Sequence, residues 1–173
     1  VAIGNAAGKN NQGGSSVAIG VNAGITGQGT SAVAIGNSAG RNNQGGSSVA
    51  IGINAGNTGQ GDSTVAIGNA AGQTTQGENA VAIGTNAGNT GQQNDAIAIG
   101  NLSGQSGQNQ FSLAIGREAG QLGQGQYAVA LGPGAGQLGQ GDHIELKHLA
   151  VDIHLGIHHL FVVAKACVVH QDV

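Results

Sequence analysis

The residues with the clearest capacity for chemistry crowd the end of the chain. All six histidines lie between His143 and His170, and the single cysteine, Cys167, sits among them. Neutral imidazoles ligate zinc and other transition metals, and His154, His158 and His159 could converge on one ion, for instance on a trimer axis. No paired spacing with Cys or carboxylate accompanies them, and such pairing is what makes a metal motif specific. One cysteine cannot form an internal disulfide. No nucleophile recurs with a base and an orienting group, as catalysis requires. The expectation is no enzyme, with no catalytic, cofactor-binding or metal-binding residue assigned and no cofactor.

Two further sets of side chains could recognise a ligand. Phe111 and Tyr127 could stack sugar rings, but two rings are too few to define a strip. With Leu122 and Leu138 they read better as an apolar flank where a cap or partner docks. A row of glutamines runs Gln12, Gln28, Gln44, Gln60, Gln76, Gln92, Gln108, Gln124, Gln140. A carboxamide both donates and accepts, so such a row suits a buried amide ladder better than a binding surface.

What must position these residues is a repeat. Residues 1–144 are nine consecutive copies of a 16-residue unit, beginning at Val1, Val17, Val33, Val49, Val65, Val81, Ile97, Leu113 and Val129. Position 2 is always Ala, positions 4 and 8 always Gly, and position 12 always Gln. Position 3 is Ile until Leu131, position 7 is Ala except at Ser103, and position 13 is Gly except at Gln93 and Asn109. Recurrence of this regularity within one chain reports a spatial repeat.

Glycines at 4, 8 and 13 each cost a helix about 1 kcal/mol relative to Ala, which excludes helix. Val-Ala-Ile reads as a strand with positions 1 and 3 on one face, taken as the apolar core. Glycines 4, 8 and 13 mark corners, and the stretch ending at Gln12 is a second strand. The expected fold is all-β: a parallel β-solenoid, or β-roll, of nine coils, about 43 Å long at the spacing of paired strands. Burying one Val and one Ile gains about 1.5–3 kcal/mol each. Ordering the backbone costs about 1–2 kcal/mol per residue. A coil therefore cannot stand alone, and the remainder must come from other coils or other chains. The small Ala columns at 2 and 7 leave room for a second or third chain, so a homotrimer is favoured over a monomeric solenoid.

The composition agrees: 35 Gly without a period of three, 2% aromatic and 8% charged residues. The net charge of -3 and the lack of a basic stripe argue against nucleic-acid binding. No apolar run approaches the ~20 residues of a membrane span. The chain does not begin with Met, which points to a missing or processed N-terminus.

The motif Ser16-Val17-Ala18-Ile19-Gly20 resembles the head repeats of trimeric autotransporter adhesins. The fuller pattern Ala55-Gly56-Asn57-Thr58-Gly59-Gln60-Gly61 resembles repeats of fibre or tail-fibre-like proteins of large DNA viruses and phages. The resemblance covers residues 1–144. It implies a trimeric parallel β-roll, an extracellular, cell-surface or virion-surface location, and a surface receptor or glycan as partner. It departs from the adhesin heads in its 16-residue period and its added Gln-Gly, and it transfers no binding residue.

After Asp142 the pattern breaks, because a tenth copy would need Ala and Gly where Leu146 and His148 stand. Residues 149–157 and 160–169 read as two further strands. Residues 145–173 are a short β cap over the last coil, a His metal site, or a non-native tail from a shifted reading frame. The function expected is a structural fibre or adhesin-type rod that projects or carries surface attachment. The alternatives are an ice- or crystalline-surface-binding solenoid, suggested by Thr26, Thr58, Thr74 and Thr90 at position 10, and an end-to-end self-assembling filament.

Overall fold

The computed structural model describes residues 1–138 and the strand Ile144–Leu146. It is a parallel β-solenoid, as the repeat predicts, and every described element is a strand or turn. The first strand of each copy is Val-Ala-Ile or its equivalent: β1 Ala2–Ile3, β3 Val17–Ile19, β5 Val33–Ile35, β7 Val49–Ile51, β9 Val65–Ile67, β11 Val81–Ile83, β13 Ile97–Ile99, β15 Leu113–Ile115 and β17 Val129–Leu131. The second ends at the glutamine: β2 Asn10–Gln12, β4 Thr26–Gln28, β6 Asn42–Gln44, β8 Thr58–Gln60, β10 Thr74–Gln76, β12 Thr90–Gln92, β14 Ser106–Gln108 and β16 Leu122–Gln124. Each kind stacks on its own kind in parallel, so that Val81 pairs with Val65 and Ile97, and Thr74 with Thr58 and Thr90. Like residues therefore form columns along the rod.

The register continues one strand beyond the expected boundary. β18, Ile144–Leu146, pairs with β17 as Val129↔Ile144, Ala130↔Glu145 and Leu131↔Leu146. It arrives after 15 residues where every earlier first strand arrives after 16. Glu145 thus takes the register position that alanine holds in all nine copies. The two later strands expected at 149–157 and 160–169, the three candidate histidines and Cys167 all lie outside the described residues.

The core is the reverse of the one the sequence suggests. Ala18, Ala34, Ala50, Ala66, Ala82, Ala98, Ala114 and Ala130 at position 2 are fully buried, while Val and Ile at positions 1 and 3 are only half-buried. The alternation was right, since positions 1 and 3 share a face, but that face points outward. The two alanine columns fill the inside of the rod, so they offer no groove to another chain. Ser103 interrupts them and donates its hydroxyl to Ala114 O at 2.8 Å. A coil of 16 residues that turns so tightly encloses too little space for a Val or Ile. The one long side chain inside is Gln at position 12.

Tight turning shows in the backbone. Left-handed φ values recur at glycines 4 and 8 and also at positions 6, 11 and 15, for example Asn54 (55), Asn43 (53) and Ser63 (57). Glycine at position 13 has no positive φ; a methyl group on Gly29 would instead lie 2.5 Å from Gly46 N and Gly45 C of the next coil. Position 13 does open a turn, with Ser16 N–H donating to Gly13 O at 3.4 Å, but what favours glycine there is the space between coils and not φ. Thr75 stands at position 11 with φ 52, where the other copies carry Gly or Asn. A β-branched residue is strained there by about 1–2 kcal/mol. Thr75→Asn is expected to raise the melting temperature by roughly 2–4 °C, measured by circular dichroism. A lower value would show that Thr75 gains more from its packing than it loses in strain.

Candidate interaction face

The side chains that could act on a partner follow from this inversion. The outer surface of the first sheet carries two unbroken columns, Val at position 1 and Ile at position 3, replaced only by Ile97, Leu113 and Leu131. Ile67 and Ile83 in the middle of the rod are each 36% exposed. Position 5 adds Val21 and Ile53 just past the corner, at 46% and 52%. Among the described residues of the nine copies, positions 1 and 3 carry no charge: Lys9 and Arg41 stand at position 9, Asp62 and Glu78 at 14, Asp95 at 15 and Glu118 at 6, and Arg117 is the one charge in the flanking position 5. Three residues across and nine coils along make an apolar strip of about 10 by 43 Å, roughly 400 Å² in projection. An apolar patch of that order matches the largest one on a typical monomer, and such patches are often functional.

Behind this face the interior is held by carboxamides. Gln92 Nε2 donates to Val81 O at 2.8 Å and to Ala96 O at 2.9 Å, tying the second sheet to the first within one coil. Gln28, Gln44, Gln60, Gln76, Gln108 and Gln124 reach the position-1 carbonyl in the same way. The amide-to-amide ladder expected along the rod forms in part, from Gln60 to Gln76, Gln76 to Gln92 and Gln108 to Gln124 at 3.2–3.3 Å. The cross-coil strut is therefore the larger role. Four buried amide oxygens, on Gln28, Gln44, Gln60 and Gln108, accept no N–H or O–H. Each faces the α-carbon of the glycine at position 8, so a Cα–H lies against it, as at Gly24 and Gln28.

A second amide row was not legible as such. At position 9, Gln121 donates to Gln105 Oε1 and Gln137 to Gln121 Oε1, both at 3.1 Å. Asn89 in the same column donates to Gln73 Oε1 at 3.1 Å. The drift of this column from Lys9 and Ile25 to Asn and Gln hid it.

The other singled-out residues sort simply. Phe111 and Tyr127 stack on one another, with ring centroids 5.2 Å apart and planes within 5°. Leu122 and Leu138 are 46% and 86% exposed. Thr58, Thr74 and Thr90 form a row of three exposed hydroxyls on the second sheet, bounded by Asn42 and Ser106. Among the described residues, no group of three or more His, Cys, Asp or Glu could hold a metal ion, and no helix is long and apolar enough to cross a membrane. Comparison of the chain with family models, with curated proteins and with solved structures finds no match in any of the three.

Proposed function

We propose that the chain is the rod of a fibre or adhesin-type surface protein, in which three copies pack their Val/Ile faces against a common axis. The observation that carries this reading is the outward apolar strip. Stacking coils within one chain cannot cover it, because stacking runs along the rod and the strip faces sideways. Sheet faces pack about 10 Å apart, so identical flat strips on three chains can make the dry centre that one thin coil lacks. Three copies also follows from the likeness of the repeats to trimeric adhesin heads. An extracellular, cell-surface or virion-surface setting, with a receptor or glycan as the thing attached to, belongs to the same reading.

Sedimentation equilibrium tests it. The expected mass is three times the 16.7 kDa of one chain, and a compact monomer would sink the proposal. Ile67→Lys with Ile83→Lys is expected to release folded monomers, whereas Thr58→Lys with Thr90→Lys on the opposite sheet leaves the assembly intact.

A second reading rests on the Thr58–Thr74–Thr90 row. Its hydroxyls repeat at the strand spacing of about 4.8 Å, which suits ice or another crystalline surface. Thermal hysteresis at millimolar protein is its test, and freezing without hysteresis removes it.

A further inference from the structure

We infer that coils five to seven carry a binding groove for a neutral oligosaccharide, built where the repeat departs from its own pattern. A depression of about 460 Å³ lies along the second sheet and the turn that follows it, lined by Thr75, Gly77, Gly91, Gln93, Asn94 and Gln110. That volume is within the usual range for small-ligand sites. The departure is local. Position 13 is glycine in the other copies, and the two described side chains there are Gln93 and Asn109, in adjacent coils.

These amides are held in place. Gln93 Nε2 donates to Asn109 Oδ1 at 3.0 Å, which leaves Gln93 Oε1 as an uncommitted acceptor. Asn94 Oδ1 accepts from Glu78 N at 3.1 Å, which leaves Asn94 Nδ2 as an uncommitted donor. Thr75 and Gln110 add a hydroxyl and a further exposed or half-exposed amide. Fixed donors and acceptors side by side match a sugar hydroxyl, which needs both. Charge narrows the ligand. Glu78 and Asp95 flank the groove, and no Lys or Arg lies in coils five to seven, so an anionic glycan would be repelled.

An apolar platform adjoins it. Phe111 follows Gln110 directly and is 43% exposed. One of its faces is covered by Tyr127 of coil eight. On the other side its column continues with Asp95, so that face has no aromatic neighbour. The exposed part of the Phe111 ring is an apolar surface against which the C–H side of a pyranose ring can lie. All these residues lie on one chain and away from the Val/Ile strip, so the inference stands whatever the number of chains.

The probes are cellohexaose, maltohexaose and laminarihexaose, titrated against the full chain by saturation-transfer NMR and calorimetry. At least one is expected to bind with a dissociation constant on the order of 1 mM or tighter. The variant Gln93→Gly, Asn109→Gly, Phe111→Ser restores residues that other coils carry at those columns, so it is expected to fold and to lose at least tenfold in affinity. Absence of saturation transfer from all three sugars overturns the inference. So does unchanged affinity in a variant whose circular dichroism and melting match the parent.

Discussion

Gly68→Ala is expected to lower the melting temperature by roughly 10 °C or more. Two costs coincide there. Gly68 has φ +131, a conformation that L side chains rarely adopt, which costs about 1–3 kcal/mol. The added methyl would also lie 2.6 Å from Gly84 O and 2.8 Å from Gly84 C of the next coil. Those atoms are backbone in the sheet-to-turn corner, and Gly84 N is itself held to Ile67 O at 2.8 Å. The coils can separate only by breaking that ladder. Gly46→Ala is the matched control. Gly46 has no positive φ, and its nearest neighbours to an added methyl are Thr30 O at 3.5 Å and Asp62 Oδ1 at 3.7 Å. It is expected to be neutral or to stabilise by about 0.4–1 kcal/mol through the unfolded chain. Thermal melts of the pair, with limited proteolysis to locate any split between coils four and six, give the answer. Equal melting temperatures would show that the corner glycines are interchangeable with alanine.

Gln92→Glu should make stability strongly dependent on pH. The carboxamide of Gln92 is 1% exposed and donates to two carbonyls, Val81 O and Ala96 O. A carboxyl group in its place can keep one such bond only while protonated, and ionised it would face those oxygens without a donor. Burial and acceptor neighbours both raise a carboxyl pKa in the folded state above its unfolded value near 4.3. The unfolded chain then binds fewer protons than the folded one above that pH, so stability falls as pH rises. The slope is about 1.4 kcal/mol per pH unit between the two pKa values. At pH 4 the variant is expected to lose only about 1–2 kcal/mol relative to the parent, for one donor lost. At pH 7 the loss reaches about 4 kcal/mol or more. Urea melts of parent and variant at both pH values measure this. Parallel losses at pH 4 and pH 7 would mean that the carboxyl escapes to solvent and that the strut is not confined to the interior.

These two substitutions fall on columns that never vary, yet their roles were not equally legible. That glycine at position 4 turns a corner follows from its place after Val-Ala-Ile, because a short strand must end somewhere and only glycine adopts φ +131 with ease. That position 12 is an interior amide follows from its repetition. What could not be read was its principal partner. A ladder along the rod is a relation between copies, which a repeat displays, whereas the bond from Gln92 to Val81 crosses the coil and depends on how the two sheets face one another. The left-handed residues at 6, 11 and 15 were missed for another reason. Their types vary, with Asn54, Glu118 and Leu102 at one position and Ser63, Asp95 and Phe111 at another. Asn, Ser or Gly in most copies was the available signal, and the turn's demand on φ overrides propensity in the rest.

The period alone therefore determined that this protein is a stack of parallel two-strand coils, with which strand pairs with which and in what register. Period-two alternation determined that Val and Ile at positions 1 and 3 share one side of the first strand. Only the tertiary structure decided which side is inside. Hydrophobic size argues for burying Val and Ile, but the cross-section of a tight 16-residue coil admits only alanine, small hydroxyls and one extended glutamine. Volume wins over hydrophobicity because overlapping atoms cost more than an exposed methyl group gains by burial. The larger apolar residues are left on the outside, where a single chain has nothing to place against them.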